Sequence, residues 1–334
     1  FEAHGDALVA HMNQYYFNDE LNIKDITEKS VDFIVITHPD QDHTIGIKKV
    51  LENFSVKKIY MNRPWKYVDD LFDKINDGRI TKESLARRLR EKYKTIADIE
   101  DMAKEKNIPI YEAFEGTHIE DELLILSPEK QYYLSLLVSS EKTPLEMSSA
   151  LQHDGTLLKF LASVKDFALN ILETWDIETL RESETTSAEN ETSVILRGKV
   201  DGSGFILTGD AGIGSLNRAI DYMEKIGENI VEDISFYQVP HHGGRHNVSP
   251  SVLNRMLGEK IEKGNSRNKV AFASVAQNSS HPLKMVTNAY IRRGVTVYKT
   301  NGNVICHHNG KMPDRRWVGL KSIEFSDYVE EWSN

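Results

Sequence analysis

Phe33–Ile47 reads FIVITHPDQDHTIGI. An apolar, β-branched run stops, and within one turn the chain presents His38, Asp40, Asp42 and His43. VDFIVIT has the pattern of a short strand buried on both faces, and HTIGIKKVLENF reads as the helix that follows. Clustered carboxylates repel one another unless a cation binds them. A strand end lets a loop present such groups while the sheet holds them rigid. The stretch therefore points to a metal site.

Three more apolar runs end in metal-type side chains: LTGD at Asp210, VPHHGG at His241 and His242, and SSHP at His281. A two-metal hydrolase needs about six imidazole and carboxylate ligands, one carboxylate bridging. His38, Asp40, Asp42, His43, Asp210 and one of His241 or His242 would supply that set. A lone TGD turn or a lone histidine is more often structural. His153, His307 and His308 read as surface residues, and His4 and Asp6 as structural or supporting groups at a first-strand turn.

The rest of the chain bounds the answer. It has 334 residues, 40% hydrophobic and 28% charged, with a formal charge of −10, an ordinary globular composition. An acidic protein is not a general nucleic-acid binder, because such affinity rests on neutralising phosphates. The single cysteine, Cys306, excludes a disulfide framework and a Cys-based zinc site. No apolar run approaches the roughly 20 residues that span a bilayer, and the N-terminus lacks signal-peptide features. The expectation is a cytoplasmic protein with no membrane association.

Strand and helix patterns alternate, which argues α/β layers. FEAHGDALVA reads as a strand with a tight turn at Gly5. VKKIYMN, IPIYEAF and ELLILSP read as strands, and about 65–107 as helical, with charges spaced three and four apart. About 129–188 reads as a second helical stretch, including LLKFLASVKDFALNILETW, and ESETTSAENET as a loop or mobile linker. SVILRGKV and FILTGD flank a DGSG hairpin turn. SLNRAIDYMEKIG and PLKMVTNAYIRRG read as helices, ISFYQVPHH, VAFASVA and VTVYKT as strands, and NGNVICHHNG as a last hairpin. Ser249-Pro250 is an N-cap followed by proline at the first helical position. Lys284, Arg292, Arg293 and Lys299 read as a solvated basic helix face.

THPDQDHTIG resembles the His-x-His-x-Asp-His metal signature of the metallo-β-lactamase fold superfamily. FILTGDA resembles its strand ending in the bridging aspartate, YQVPHHGG its later histidine motif, and FEAHGDALV its opening strand. The likeness covers 1–60 and 190–305 well and the two helical stretches poorly. Asp40 in place of the second histidine, the paired HHG and the late HP resemble the branch that holds the hydrolase domain of the DNA-uptake competence channel protein. The Asp-Gly-Gly usual after the first strand is absent, and HMNQYYFNDELN stands there.

The resemblance implies one αββα sandwich of two mixed sheets flanked by helices over 1–334, with helical insertions at about 65–107 and 129–188. It implies a metal-dependent phosphodiesterase or nuclease acting on DNA, RNA or a nucleotide. Carried over, His38 and Asp40 bind the first metal, Asp42 and His43 the second, Asp210 bridges, and His241 completes the second site, with His242 as its alternative. His118 is the nearest candidate for the remaining histidine. Asp42 would orient the attacking water and His281 would stabilise charge or protonate the leaving oxygen. Gly243, Gly244 and Arg245 would sit near substrate phosphate. Carboxylate ligands favour Mn²⁺ or Mg²⁺ and imidazoles Zn²⁺; two divalent ions, Mn²⁺ or Zn²⁺ ahead of Mg²⁺, are expected. The alternatives are a lactone, thioester or β-lactam hydrolase on the same fold, and a non-catalytic, metal-stabilised module that docks a protein partner through the insertions.

Overall fold

The computed structural model describes residues 2–17, 29–72, 74, 81–140, 170–200, 202–310 and 318–332. It shows two compact units, Phe1–Phe114 with Glu129–Glu146, and Glu115–Pro128 with Met147–Asn334. The mixed α/β class expected from the alternation is observed. No helix among the described residues is long and apolar enough to cross a membrane.

The first unit holds α1 (Glu2–Tyr15), β1 (Ser30–Val31), β2 (Ile34–Val35), α2 (Gln41–Asn53), β3 (Ser55–Val56), β4 (Ile59–Tyr60), α3 (Val68–Phe72), α4 (Lys82–Lys92), α5 (Lys94–Glu105), β5 (Ile110–Tyr111) and α6 (Lys130–Ser139). Strands β2, β4 and β5 form a parallel sheet, with Ile34 opposite Ile59 and Ile59 opposite Ile110. Parallel neighbours need crossovers, and α2 and α5 lie on those crossovers in sequence. Ile34, Ile36, Leu51, Ile59, Met61 and Ile99 form the core beneath them. The helical reading of 65–107 holds for its described part. In α4, Leu85 and Leu89 are buried one turn apart while Arg87 and Glu91 face solvent, and Thr81 caps its first turn by accepting from the Ser84 amide.

The first stretch departs from expectation. EAHGDALVA is part of helix α1, not a strand turning at Gly5. The helical period puts Val9 and Met12 on the side that packs against the core. Gly5 is needed for a close helix crossing: a Cβ there would stand 3.0 Å from the Gly46 backbone and 2.9 Å from Lys49 Cγ. His4 and Asp6 are exposed on this helix rather than at a strand turn.

The second unit holds β6 (His118–Ile119), β7 (Leu123–Ser127), β8 (Asn170–Leu172), α7 (Ala188–Glu191), β9 (Ile195–Val200), β10 (Ser203–Leu207), α8 (Ile213–Lys225), α9 (Ile230–Asp233), β11 (Ile234–Gln238), α10 (Pro250–Leu257), β12 (Lys269–Ala273), α11 (Lys284–Arg292), β13 (Val295–Lys299) and β14 (Tyr328–Glu330). Its main sheet runs β13-β12-β11-β10-β9-β7-β6. The expected hairpin joins β9 to β10, with Val200 opposite Ser203. From β10 to β13 neighbouring strands are parallel. Parallel strands end on one sheet edge, the edge where ligands bind in open α/β sheets. Here the segments leaving β10, β11 and β12 carry Asp210, His241 with His242, and His281. Leu216, Ile220 and Met223 of α8, Leu253 and Met256 of α10, and Met285 and Tyr290 of α11 belong to one apolar core with the sheet.

Four expectations are corrected in this unit. Arg292 and Arg293 are not a solvated face: both side chains are fully buried, paired with Glu173 at 2.7 Å and Glu178 at 2.9 Å. ESETTSAENET is loop through Ser187, as expected, but not a loose linker: Glu182 accepts from the Ser251 amide, Glu184 lies 2.7 Å from His246, and Glu191 accepts from the Gly214 and Ser215 amides at the start of α8. NGNVICHHNG forms no strand; β14 pairs instead with β8, Val329 opposite Ile171. Most of LLKFLASVKDFALNILETW, with His153 before it, lies outside the described residues, and its described end is strand β8. Ser249 caps α10 by accepting from the Val252 amide, with Pro250 in the first turn, as the sequence implies.

Candidate metal centre

In the first unit, β2 ends and α2 begins within the motif. Asp40 occupies the N-cap position, and its side chain makes no capping bond. Its carbonyl accepts from the Thr44 hydroxyl at 2.9 Å, and the Pro39 carbonyl accepts from Thr95 of α5 at 3.1 Å. These bonds fix the turn. His38 is buried, with Nδ1 3.1 Å from the Thr37 hydroxyl and Nε2 3.9 Å from Asp40 Oδ2. Asp42, in the first turn of α2, lies 3.5 Å from His43 Nε2. The positive end of a helix dipole favours an anion there. The His38 and His43 rings are 4.3 Å apart.

In the second unit, the TGD turn is pinned from beneath. The Gln238 carboxamide oxygen accepts from the Thr208 and Gly209 amides at 2.8 and 3.1 Å, and Ser193 Oγ accepts from the Asp210 amide at 3.1 Å. Asp210 is buried, and its Oδ2 lies 3.9 Å from His241 Nε2. His241 and His242 sit in the left-handed region, φ 44° and 57°. Such backbone costs of order 1 kcal/mol or more per residue and clusters at functional sites.

The hydrogen bonds around these two rings decide their tautomers. His242 Nδ1 lies 2.6 Å from the Ser274 carbonyl oxygen. A carbonyl only accepts, so Nδ1 carries the proton and Nε2 keeps its lone pair. For His241 the argument runs through Asn247. The Asn247 amide nitrogen donates to the Asp210 and Ala211 carbonyls at 2.9 and 3.2 Å. Its oxygen must then be the atom 3.0 Å from His241 Nδ1, so that nitrogen is also protonated. Asn190 lies 3.0 Å from the same Nδ1 and 2.7 Å from Thr186 Oγ1. As placed, Asn190 Nδ2 faces this Nδ1 and donates to Thr186 Oγ1; exchanging the amide nitrogen and oxygen would let the oxygen accept from both. Both histidines thus present Nε2 lone pairs, the state a metal requires. Asn190, Asn247 and the Ser274 carbonyl carry no motif of their own in the sequence; only Asn247 lies near the HHGG run, while Asn190 and Ser274 are distant in sequence.

His281 and His241 line a cavity of about 740 Å³ with Arg245 and Gly244. Burial, then the charges of His241, His242 and Arg245, hold the His281 imidazolium below the usual histidine range. Arg245 is largely buried; it donates to the Glu331 carbonyl at 2.8 Å and lies 4.6 Å from the centre of the Trp332 ring. Gly243 has a backbone reason to be glycine, with φ 89° and no room for a Cβ, which would stand 2.4 Å from Pro282 Cβ. His118 is exposed on the edge strand β6.

No curated protein matches this chain. Residues 5–108 match the family model of the metallo-beta-lactamase superfamily, and this span contains the motif from His38 to His43. The several sheets and helices are consistent with the α/β sandwich of that superfamily. The similarity to that superfamily thus spans residues 5–108 of a chain of 334.

Proposed function

We propose that the protein is a metal-dependent phosphodiesterase or nuclease whose substrate is a nucleic acid or a nucleotide. The superfamily similarity and the His and Asp ligand candidates support a metal-dependent hydrolase in general. The observation that carries the reading is the pair of tautomer locks: Ser274 and Asn247 leave Nε2 of His242 and His241 ready to ligate. The donor types suit divalent cations in each unit: Asp42 and His43 in the first, and Asp210 and His242 in the second, each offer an imidazole nitrogen or a carboxylate oxygen. His38 and Asp40 extend the set. Asp40 makes the donors oxygen-rich, which favours Mn²⁺, while the imidazoles suit Zn²⁺. The bound cations supply Lewis acidity toward water and a phosphoryl oxygen.

The chain's own groups do the rest. Asp210, its turn fixed by the Ser193 and Gln238 bonds, would help to hold the cations. Asp42 orients the attacking water. His281, kept neutral by burial, donates a hydrogen bond to the leaving oxygen. The His-x-Asp-x-Asp-His pattern, with HHG and HP, supports phosphodiesters over lactones through its resemblance to the competence-channel hydrolase branch. The test is metal analysis of the purified protein with cleavage of single- and double-stranded DNA, RNA and bis(p-nitrophenyl) phosphate in Mn²⁺, Mg²⁺ or Zn²⁺. Metal-dependent cleavage is expected, and Asp210→Ala should lose more than the roughly 10–100-fold typical of outer-shell changes. Full activity in Asp210→Ala, or hydrolysis of lactones alone, overturns the reading.

A further inference from the structure

We propose that Trp332 is a positioning residue for the HHGGRHN loop, residues 241–247, and braces the backbone that carries His241 and His242 from the segment that follows β14. The inference rests on the metal-centre reading for one of its two readouts and goes beyond it by naming what holds the loop. Both histidines stand in the left-handed region, at φ 44° and 57°. Such backbone persists only where the surroundings over-determine it. The near end of the loop is tied by backbone: the His241 amide donates to the Gly209 carbonyl at 3.2 Å, and the Gly243 carbonyl accepts from the Leu283 amide at 3.1 Å.

The far end is held by side chains on one ring. The Arg245 guanidinium carbon lies over the Trp332 indole at 4.6 Å, and the His246 ring meets it edge-on, with centroids 5.5 Å apart. The indole is fixed in turn from a third segment: its N–H donates to the Thr179 carbonyl at 2.9 Å, and the Arg181 guanidinium stands 4.4 Å from its centre. An indole face attracts cations and its N–H seeks an acceptor, so no aliphatic side chain could make both contacts. The neighbours of Trp332 extend the brace. The Glu331 carbonyl accepts from Arg245 at 2.8 Å, and Glu330 accepts from the Lys284 and Met285 amides, just beyond His281. Val329 is fully buried and pairs with Ile171, which anchors the segment to the core. Three consecutive residues thus tie together the loop after β11, the loop after β12 and the stretch before α7. Asn247, the last residue of the braced loop, sets the His241 tautomer, so a displaced loop displaces that lock.

The test compares the purified full chain with Trp332→Leu, which keeps apolar bulk against the core but offers neither the ring face nor the N–H, and with Trp332→Phe, which restores the face. Met223→Ala, a core cavity near the far end of α8, serves as a destabilised control. One readout is the tautomer of His241 and His242 in metal-free protein, by long-range ¹H–¹⁵N correlation at about pH 8, where histidine is ordinarily neutral. The other is the affinity for Zn²⁺ or Mn²⁺ by calorimetry. Wild-type rings should show the proton on Nδ1. Trp332→Leu should populate both tautomers of His241 and lose about tenfold or more in metal affinity. Trp332→Phe should recover most of both, and Met223→Ala should move neither. A change in either readout that Trp332→Phe recovers and Met223→Ala lacks supports the brace. Both readouts unmoved in Trp332→Leu overturn it, and so do equal changes in Trp332→Leu and Met223→Ala. A wild-type chain that binds no metal removes the metal reading; the tautomers alone then decide, and their constancy in Trp332→Leu overturns the brace as well.

Discussion

His242 Nδ1 donates to the Ser274 carbonyl across 2.6 Å. Backbone leaving β12 therefore sets the protonation of a side chain that follows β11. Asn247 does the same for His241 from within its own loop. In metal sites such partners hold the ring and raise its basicity, and losing one typically costs 10–100-fold in affinity.

Asn247→Ala should lower Zn²⁺ or Mn²⁺ affinity about 10–100-fold. The residue is buried and also serves the Asp210 and Ala211 carbonyls, so stability should drop by about 1–3 kcal/mol as well. Metal titration followed by calorimetry, with urea unfolding of the same variant, separates the two effects. Unchanged affinity would remove Asn247 from the metal argument.

Breaking a buried ion pair should cost the second unit much of its stability, because it leaves a buried charge without a partner. Arg292 donates to Glu173 and to the Trp175, Thr174 and Ile177 carbonyls. Glu173 also accepts from Asn288 and Thr179. Arg292→Met leaves that carboxylate buried without its cation and should cost about 3–5 kcal/mol. Urea unfolding at pH 7 measures it. A loss below 1 kcal/mol would show the pair to be dispensable.

Lys269 gives the fold an alkaline signature. Its ammonium reaches the Val231 and Ile234 carbonyls and lies 3.3 Å from the Tyr237 hydroxyl. Burial, partly offset by Glu232, pulls its pKa from 10.5 to about 8. Between these values the unfolded chain binds the proton and the native chain does not. Stability from this group therefore rises with pH across that window, by up to about 1.4 kcal/mol per pH unit, and is level below it. In Lys269→Met that component of the slope should vanish from chemical unfolding curves taken between pH 8 and 10.

Gly243→Ala should destabilise by roughly 2 kcal/mol, because it adds a left-handed alanine and a clash with Pro282. Gly202 is a matched control: its φ is also positive, 80°, but nothing stands within 4 Å of an added Cβ. Gly202→Ala should cost measurably less in the same unfolding assay. Equal losses would assign the effect at Gly243 to backbone strain alone.

Much of the architecture was legible because its causes are local. Leu85 and Leu89 announce a helix by their spacing, Ser249-Pro250 starts one, and Val200 and Ser203 flank a hairpin through Gly202. The failures share one cause. Gly5 looks like a turn residue until it is seen to admit the backbone of Gly46, a contact far away in sequence. Arg292 and Arg293 look like solvent-facing charge until Glu173 and Glu178, more than a hundred residues earlier, neutralise them.

Candidate ligands were determined by the sequence itself. Covalent adjacency places His38, Asp40, Asp42 and His43 in one turn, and short apolar runs deliver Asp210, His241, His242 and His281 to strand ends. Tertiary structure decided the rest. Parallel pairing of β10, β11 and β12 brings three of those ends to one edge. Contacts from Ser274 and Asn247 choose the nitrogen that each ring of the HH pair presents. Hydrogen bonds act over about 3 Å, and only folding brings residues so far apart in sequence within that reach.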